Sequence, residues 1–123
     1  MSDQDQTVLK NSPRKIKSSF HIKERGVLII LSGEDLGKTC LLDSEETIIG
    51  RDSSCDLVID DEGVSKEHCV IKAEQGFFFL EDLASSNGTY LDNKKIKKKS
   101  LLNDFERIVM GKTIIRFFKE ESF

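Results

Sequence analysis

Short apolar runs separated by turn-forming residues constrain the fold of this chain more than any other feature. From Val27 onward, stretches rich in Val, Ile, Leu, Phe and Thr alternate with breaks of Gly, Asp, Asn and Ser. Such runs are typical of strands, and no segment of helical length carries the 3.6-residue apolar period that a crossover helix needs. The pattern predicts an all-β, mainly antiparallel β-sandwich.

The breaks divide the chain into predicted strands and hairpin turns. The strands are predicted at residues 27–32, 38–43, 46–50, 56–60, 69–74, 77–82, 89–91, 94–96, 106–110 and 113–118. Gln75-Gly76 and Asp92-Asn93 are typical of tight hairpin turns, and Met110-Gly111-Lys112 is predicted to close a last hairpin.

Length and composition indicate one domain behind a polar segment. The chain has 123 residues, which suffice for one ordinary hydrophobic core. Residues 1–25 are polar and contain the only proline, Pro13, so we predict a flexible N-terminal tail there. Residues 26–120 are predicted to form the domain.

Charge, hydropathy and cysteine content argue against several classes of function. The net charge is −3 with acids and bases intermixed, so no global field favours nucleic acid or a membrane. No apolar run reaches the roughly 20 residues that span a bilayer, and the first ten residues lack the apolar stretch of a secretory signal. Cys40, Cys55 and Cys69 have no C-x-x-C spacing, which favours reduced thiols in the cytoplasm. With two histidines, the chain has no recognisable metal-ligand set, and we expect no cofactor.

Three short polar clusters fall in or beside the breaks between strands, where loops of a β-scaffold often carry binding residues. They are Gly50-Arg51, Ser65-Lys66-Glu67-His68 and Ser86-Asn87-Gly88-Thr89. A guanidinium such as that of Arg51 presents a planar fork of donors that matches two phosphate oxygens. Ser65 can donate a hydroxyl, and Lys66 adds a point charge. Each cluster taken alone is more often an ordinary turn, but the three together favour a phosphorylated peptide as ligand.

Other residues of the clusters are suited to shape the loops. Gly50 permits an unusual backbone geometry or a close approach of another chain segment. His68 is predicted to be structural, because its two ring nitrogens can tie two loops together by accepting one hydrogen bond and donating another. Asn87-Gly88 predicts a turn with positive φ, and the Asn87 amide can contact an extended peptide backbone. Ser86 can add a second hydroxyl.

The order and spacing of these motifs resemble those of the forkhead-associated (FHA) family. The resemblance rests on Ile48-Ile49-Gly50-Arg51, Val64-Ser65-Lys66-Glu67-His68 and Leu83-Ala84-Ser85-Ser86-Asn87-Gly88-Thr89-Tyr90, and it extends from about Val27 to Lys119. It implies a sandwich of about eleven strands that binds phosphothreonine peptides through loops at one end. It also implies that phosphate or peptide is contacted by Arg51, Ser65, Lys66, Ser86 and Asn87, while the loops are shaped by Gly50, His68 and Gly88.

Some positions depart from the family pattern. Many members have Arg or Asn where Lys66 stands and Thr where Ser86 stands, and both changes keep a hydrogen-bond donor. The usual Asp-Gly-Asp turn is replaced by Asp104-Phe105-Glu106. Gly63 stands where some members carry a specificity residue, so the preference after the phosphothreonine is left open.

The N-terminal segment offers a candidate ligand for the same chain. Thr7 is the only threonine before the predicted domain. About 18 residues separate it from the first predicted strand, and a flexible chain of that length spans on the order of 25 Å. We therefore predict that Thr7, phosphorylated by a Ser/Thr kinase, binds the domain in cis or in trans. Such an arrangement resembles bacterial signalling proteins in which an FHA domain regulates a diguanylate cyclase.

Enzymatic and nucleic-acid readings have weaker support. Ser32-Gly33-Glu34-Asp35-Leu36-Gly37-Lys38-Thr39 nearly spells a P-loop, but serine replaces the first glycine and a strand-like run follows where a helix is required. Lys94-Lys95-Ile96-Lys97-Lys98-Lys99 is more typical of a solvated hairpin edge than of a nucleic-acid surface. We expect a module that recognises its ligand without catalysis.

Overall fold

The computed structural model describes residues 24–121, and within this range the chain contains eleven strands and no helix. The strands are β1 (Glu24–Ile30), β2 (Thr39–Leu42), β3 (Glu46–Gly50), β4 (Leu57–Val58), β5 (Cys69–Glu74), β6 (Phe77–Asp82), β7 (Tyr90–Leu91), β8 (Lys94–Lys95), β9 (Ser100–Leu101), β10 (Arg107–Met110) and β11 (Thr113–Glu121).

The strands form two sheets that face each other across one core. The first sheet has the order β2-β1-β11-β10-β7-β8, and the second has the order β4-β3-β5-β6-β9. All neighbouring pairs with a recorded register are antiparallel except β3 and β4, which run parallel. The predicted β-sandwich is therefore confirmed.

The core follows from the two-residue period of the strands, because alternate side chains of a strand point to the same face. In β11, Thr113, Ile115 and Phe117 are buried while their neighbours are partly exposed. Phe117 meets Phe78 of the opposite sheet edge to face, with ring centroids 5.5 Å apart. Contacts of this kind join the two sheets and hold the loops at their ends in fixed positions.

The hairpin turns have the backbone geometry that their residues predict. Gln75 and Gly76 have φ values of 51° and 86°, and Asp92 and Asn93 have 48° and 73°. Positive φ at both central residues matches the right-handed twist of the flanking strands. The turn after Met110 also uses positive φ, with Gly111 at 59°.

Phe105 adopts a backbone conformation that phenylalanine rarely takes. Its φ is 71°, in the turn where the Asp-Gly-Asp pattern of the family places glycine. The side chain is 59% exposed, and its ring contacts Phe118 edge to face with centroids 5.5 Å apart. A left-handed conformation costs a residue with a Cβ about 1 to 2 kcal/mol, so this turn is under local strain.

Several strand boundaries differ from the predictions. The run predicted at 56–60 forms only the two-residue β4, β9 was not predicted, and β11 continues to Glu121. β1 begins at Glu24, and the rest of the predicted tail, including Thr7, lies outside the described residues.

Candidate functional site

The three predicted polar clusters meet at one end of the sandwich. They lie in the β3–β4 loop (51–56), the β4–β5 loop (59–68) and the β6–β7 loop (83–89). Hydrogen bonds connect the second loop to each of the other two. We call the surface formed by Arg51, Ser65, Lys66, Ser86 and Asn87 the rim.

Arg51 is held by the β4–β5 loop on two sides. Its amide donates to the Ser65 carbonyl at 3.0 Å, and its Nε donates to the Val64 carbonyl at 2.9 Å. These bonds fix the direction of the side chain and leave the two terminal nitrogens of the guanidinium without a partner among the described residues. The side chain is exposed, so this fork of donors is available to an anion.

Ser65 connects the β4–β5 loop to the β6–β7 loop. The Ser86 amide donates to Ser65 Oγ at 3.0 Å. Because Ser65 Oγ accepts this bond, its own hydroxyl hydrogen can point away from the loop toward a ligand. The Ser86 side chain is exposed, so the β6–β7 loop offers a second hydroxyl on the rim.

Asn87 and Lys66 flank the two serines. Asn87 Nδ2 donates to the Gly63 carbonyl at 2.9 Å, which leaves its side-chain oxygen open to a peptide amide. Lys66 is anchored through its carbonyl, which accepts from the Asp52 amide at 3.1 Å and from Cys55 Sγ at 3.1 Å. Its side chain is exposed and adds positive charge to the rim.

His68 ties two loops together from within the core. It is fully buried. Its Nδ1 accepts from the Ser65 amide at 3.0 Å, so the proton is on Nε2, which lies 2.9 Å from the Gly88 carbonyl and donates to it. The imidazole therefore connects the Ser65 amide to the Gly88 carbonyl of the Asn87-Gly88 turn.

Two glycines make room for this arrangement. A Cβ on residue 50 would lie 2.1 Å from the Lys66 carbonyl oxygen, so only glycine lets the β4–β5 loop pass this close to β3. Gly88 has a φ of 88°, and a Cβ there would lie 2.7 Å from Cε of Lys95. Gly50 thus leaves room for the passing backbone, and Gly88 takes the positive φ of the turn.

Asp82, which the sequence analysis did not single out, organises the β6–β7 loop. Its carboxylate accepts from the Ser85 amide at 3.0 Å, from Ser85 Oγ at 2.6 Å and from Thr89 Oγ1 at 2.6 Å. Burial raises the pKa of Asp82, but these hydrogen bonds outweigh burial and hold the net pKa below that of a free Asp. The signal in the sequence was an Asp three residues before a Ser at a strand end.

Asp61 was also missed, and it fastens the β4–β5 loop to the β10–β11 hairpin. Its carboxylate accepts from the Gly63 amide, from the Lys112 amide and from Thr113 Oγ1 at 2.8, 2.8 and 2.7 Å. Burial raises the pKa of Asp61, and these bonds more than compensate, so the net pKa is lowered. Thr113 is 52 positions from Asp61, and no local sequence pattern reports such a contact.

Comparison with known proteins agrees with this geometry. The family model described as "FHA domain" matches residues 47–111, a range that contains all three loops of the rim. The chain belongs to the FHA family. FHA domains recognise phosphothreonine peptides.

Relatives and solved structures give the extent of the likeness. The chain is 31% identical over 94 residues to an oxoglutarate dehydrogenase inhibitor of Corynebacterium diphtheriae. This alignment covers 76% of this chain and 65% of that protein. It is also 34% identical over 86 residues to the glycogen accumulation regulator GarA of Mycolicibacterium smegmatis. This alignment covers 70% of this chain and 54% of that protein. A solved structure from work on phosphothreonine-dependent FHA domain interactions superposes with a TM-score of 0.71 at 30% identity, covering 76% of this chain and 95% of that chain. The chain thus spans between half and two thirds of the length of these two curated relatives.

The two competing readings fit the structure poorly. The P-loop-like segment forms turns and then enters strand β2 at Thr39, where a P-loop needs the start of a helix. The lysine-rich run forms β8 and the connection to β9 at an edge of the first sheet, as a hairpin edge does. Residues 24–121 include no helix that could cross a bilayer.

Gly50→Ala tests the close approach beneath Arg51. We expect it to lower the free energy of unfolding by about 3 kcal/mol or more, because the new Cβ collides with backbone that is tied into two loops. Gly76→Ala is the control, because it has positive φ and open space around it and costs only about 1 to 2 kcal/mol. Urea denaturation measures both values, and equal losses would contradict the packing described here.

Asp82→Asn tests the carboxylate in the β6–β7 loop. The folded pKa of Asp82 is depressed, so its stabilisation is complete above the unfolded value near pH 3.9 and is lost as the pH falls through the lower folded value. We expect Asp82→Asn to be less stable at pH 7 and to lose less further stability between pH 5 and pH 2 than the wild type. Urea denaturation across this pH range measures the difference, and parallel pH profiles would argue against it.

Proposed function

We propose that the rim is a phosphothreonine-binding site through which this domain recognises phosphorylated proteins or peptides. The observation that carries the proposal is that hydrogen bonds between the loops bring the Arg51 guanidinium and the Ser65 hydroxyl to the same end of the sandwich. Lys66 and Ser86 add a charge and a second hydroxyl, and the Asn87 amide is available to the peptide backbone.

The chemistry of phosphate suits these groups. A phosphothreonine carries about −1.5 to −2 charges and three strong acceptor oxygens. Hydrogen bonds within the loops already hold the side chains of Arg51 and Ser65, so little entropy is lost when these two donors bind. Hydrogen bonds to charged groups contribute roughly 1.5 to 3 kcal/mol each, which is enough to distinguish phosphorylated from unphosphorylated threonine.

The proposed role is regulatory binding without a catalytic step. The two curated relatives are named as an inhibitor and a regulator. The partner on this proposal is a phosphothreonine protein produced by a Ser/Thr kinase, in the cytoplasm. The three free thiols of Cys40, Cys55 and Cys69 suit that reducing compartment. Control of a fused diguanylate cyclase stays a prediction.

Arg51→Ala tests the site directly. We expect it to weaken binding to a phosphothreonine peptide about tenfold to a hundredfold, because the variant loses charge-assisted hydrogen bonds to the phosphate. Arg25→Ala is the matched control, because Arg25 is an exposed arginine on β1 with only a loose contact to Glu120 at 4.0 Å. Fluorescence anisotropy with phosphorylated and unphosphorylated peptides measures the effect. Equal weakening by both variants, or wild-type binding that ignores phosphorylation, would count against the proposal.

We also propose that phosphorylated Thr7 is a ligand of the rim. Residues Glu24 and Glu121 pair with each other at one end of the β1–β11 ladder. The β10–β11 turn lies at the other end of β11, where the Lys112 amide donates to Asp61 in the β4–β5 loop of the rim. β11 has nine residues, so about 30 Å separates its far end from the rim at 3.4 Å per residue. If the segment from Thr7 to Glu24 is flexible, as its composition predicts, it has a root-mean-square span of about 20 to 25 Å and a maximum near 55 Å. Binding in cis therefore requires this segment to extend beyond its average span. Binding in trans, to the rim of a second molecule, is the competing mode.

Phosphorylation of Thr7 is expected to shift the NMR signals of the Ser65 and Ser86 amides in the wild type and not in Arg51→Ala. Sedimentation at several concentrations distinguishes the two modes, because binding in trans raises the apparent mass with concentration. Thr7→Ala treated with the same kinase controls for phosphorylation elsewhere. Unchanged loop signals together with an unchanged mass would dispose of the self-binding proposal while leaving the binding of other phosphopeptides intact.

A further inference from the structure

A second charged surface lies next to the rim and takes no part in the proposed contacts with phosphothreonine. Strand β8 and the connection to β9 line an open cavity of about 740 Å³. Four exposed lysines line it, namely Lys94, Lys95, Lys97 and Lys98, and we call this cavity the lysine groove. Leu91 and Ile96 also line it, and both are half-buried and pack against the core, so the position of the groove is fixed.

The four lysines of the groove outnumber the acids that line it. None of them has a salt-bridge partner among residues 24–121, whereas Lys72 and Lys99 contact Glu81 and Glu74 at 2.9 Å. Two carboxylates also line the groove, and both are held in place by backbone amides. Asp92 accepts from the Arg107 amide at 3.0 Å, and Glu106 accepts from the Asn103 amide at 2.7 Å. With four lysines and two carboxylates, the lining of the groove has a net charge of +2, which attracts anions.

The groove is continuous with the rim. The Lys95 side chain lies over Gly88, with Nζ 3.5 Å and Cε 2.7 Å from the place where a Cβ of residue 88 would be. The Ile96 amide donates to the Thr89 carbonyl at 3.0 Å, which fastens the start of the groove to the end of the β6–β7 loop. An extended segment that leaves the rim across the Asn87-Gly88 turn therefore meets Lys95 first.

We propose that the lysine groove binds acidic side chains of the same segment whose phosphothreonine occupies the rim. This inference rests on the proposed function of the rim and specifies its ligand as a phosphothreonine flanked on one side by Asp or Glu. An extended peptide advances about 3.3 Å per residue, so residues two to four positions from the phosphothreonine lie about 7 to 13 Å along the chain. The N-terminal segment matches this description, because Asp3 and Asp5 precede Thr7 by four and two positions.

The test compares three short phosphothreonine peptides with otherwise neutral sequences. One has no acid, one has two Asp residues before the phosphothreonine, and one has two after it. We expect one acidic peptide to bind the wild type about threefold to tenfold more tightly than the neutral peptide at low salt, and less so at high salt, as exposed ion pairs do. The side that gains affinity gives the direction of the bound chain.

Two double variants with the same loss of charge locate the effect. In Lys95→Gln/Lys97→Gln, the ratio of acidic to neutral affinity is expected to fall to about one. In the control Lys72→Gln/Lys99→Gln, both lysines lie outside the groove, and the ratio is expected to stay as in the wild type. Fluorescence anisotropy measures all affinities, and circular dichroism checks that each variant is folded.

Each other outcome decides against the proposal in a distinct way. Wild-type binding of the neutral peptide with no gain from either acidic peptide overturns this inference and leaves the function of the rim standing. An equal fall of the ratio in both double variants means that overall charge, not the groove, sets the preference. Tight, salt-dependent binding of a DNA oligonucleotide that displaces the acidic peptide assigns the groove to nucleic acid instead. No binding of any phosphopeptide overturns both proposals.

Discussion

The buried imidazole of His68 is the contact on which the geometry of the rim depends. It accepts from the Ser65 amide and donates to the Gly88 carbonyl, so one ring sets the separation of two loops that are distant in sequence. Burial excludes water that could compete for either bond. Once this separation is fixed, the Ser86 amide reaches Ser65 Oγ and the Asn87 amide reaches the Gly63 carbonyl. The loops that carry the donors of the rim are thus held together by a fully buried side chain.

Carboxylates take the place of regular backbone pairing in the loops. A loop has no ladder of backbone hydrogen bonds, so its amides need other acceptors. Asp82 and Asp61 supply them, the first within the β6–β7 loop and the second between the β4–β5 loop and the β10–β11 hairpin. Both acids have a lowered pKa, which means that the folded loops favour the charged acids. The exposed side of the rim carries the positive charges of Arg51 and Lys66. The carboxylates of Asp82 and Asp61 hold the loops behind it.

Local patterns in the sequence were sufficient to predict ten of the eleven strands and the loops that carry the rim. Strands β3, β5 and β6 have the predicted bounds, because each is an apolar run that ends at a Gly, Glu or Asp. The residues that the loops bring together at the rim stood out in the sequence because their chemistry is unusual at strand ends. Two contacts could not be predicted in this way, because they depend on how the sheets pack. Asp61 bonds to Thr113, which is distant in sequence. Lys95 lies over Gly88 from the other side of a turn. The two-residue strand β9 was missed because Ser100 and Leu101 are too short a run to show a period.

The antiparallel pairing of the first and last strands also has a mechanical consequence. Glu24 and Glu121 are directly opposite each other, and the register continues from there to Ile30 and Ile115. Tension applied to the backbone at residues 24 and 121 would act perpendicular to the two strands. It would therefore break their hydrogen bonds one after another from that end, whereas a force along the strands would load all of them at once. The domain would therefore yield to such a pull at low force, starting at the end of the sandwich farthest from the rim.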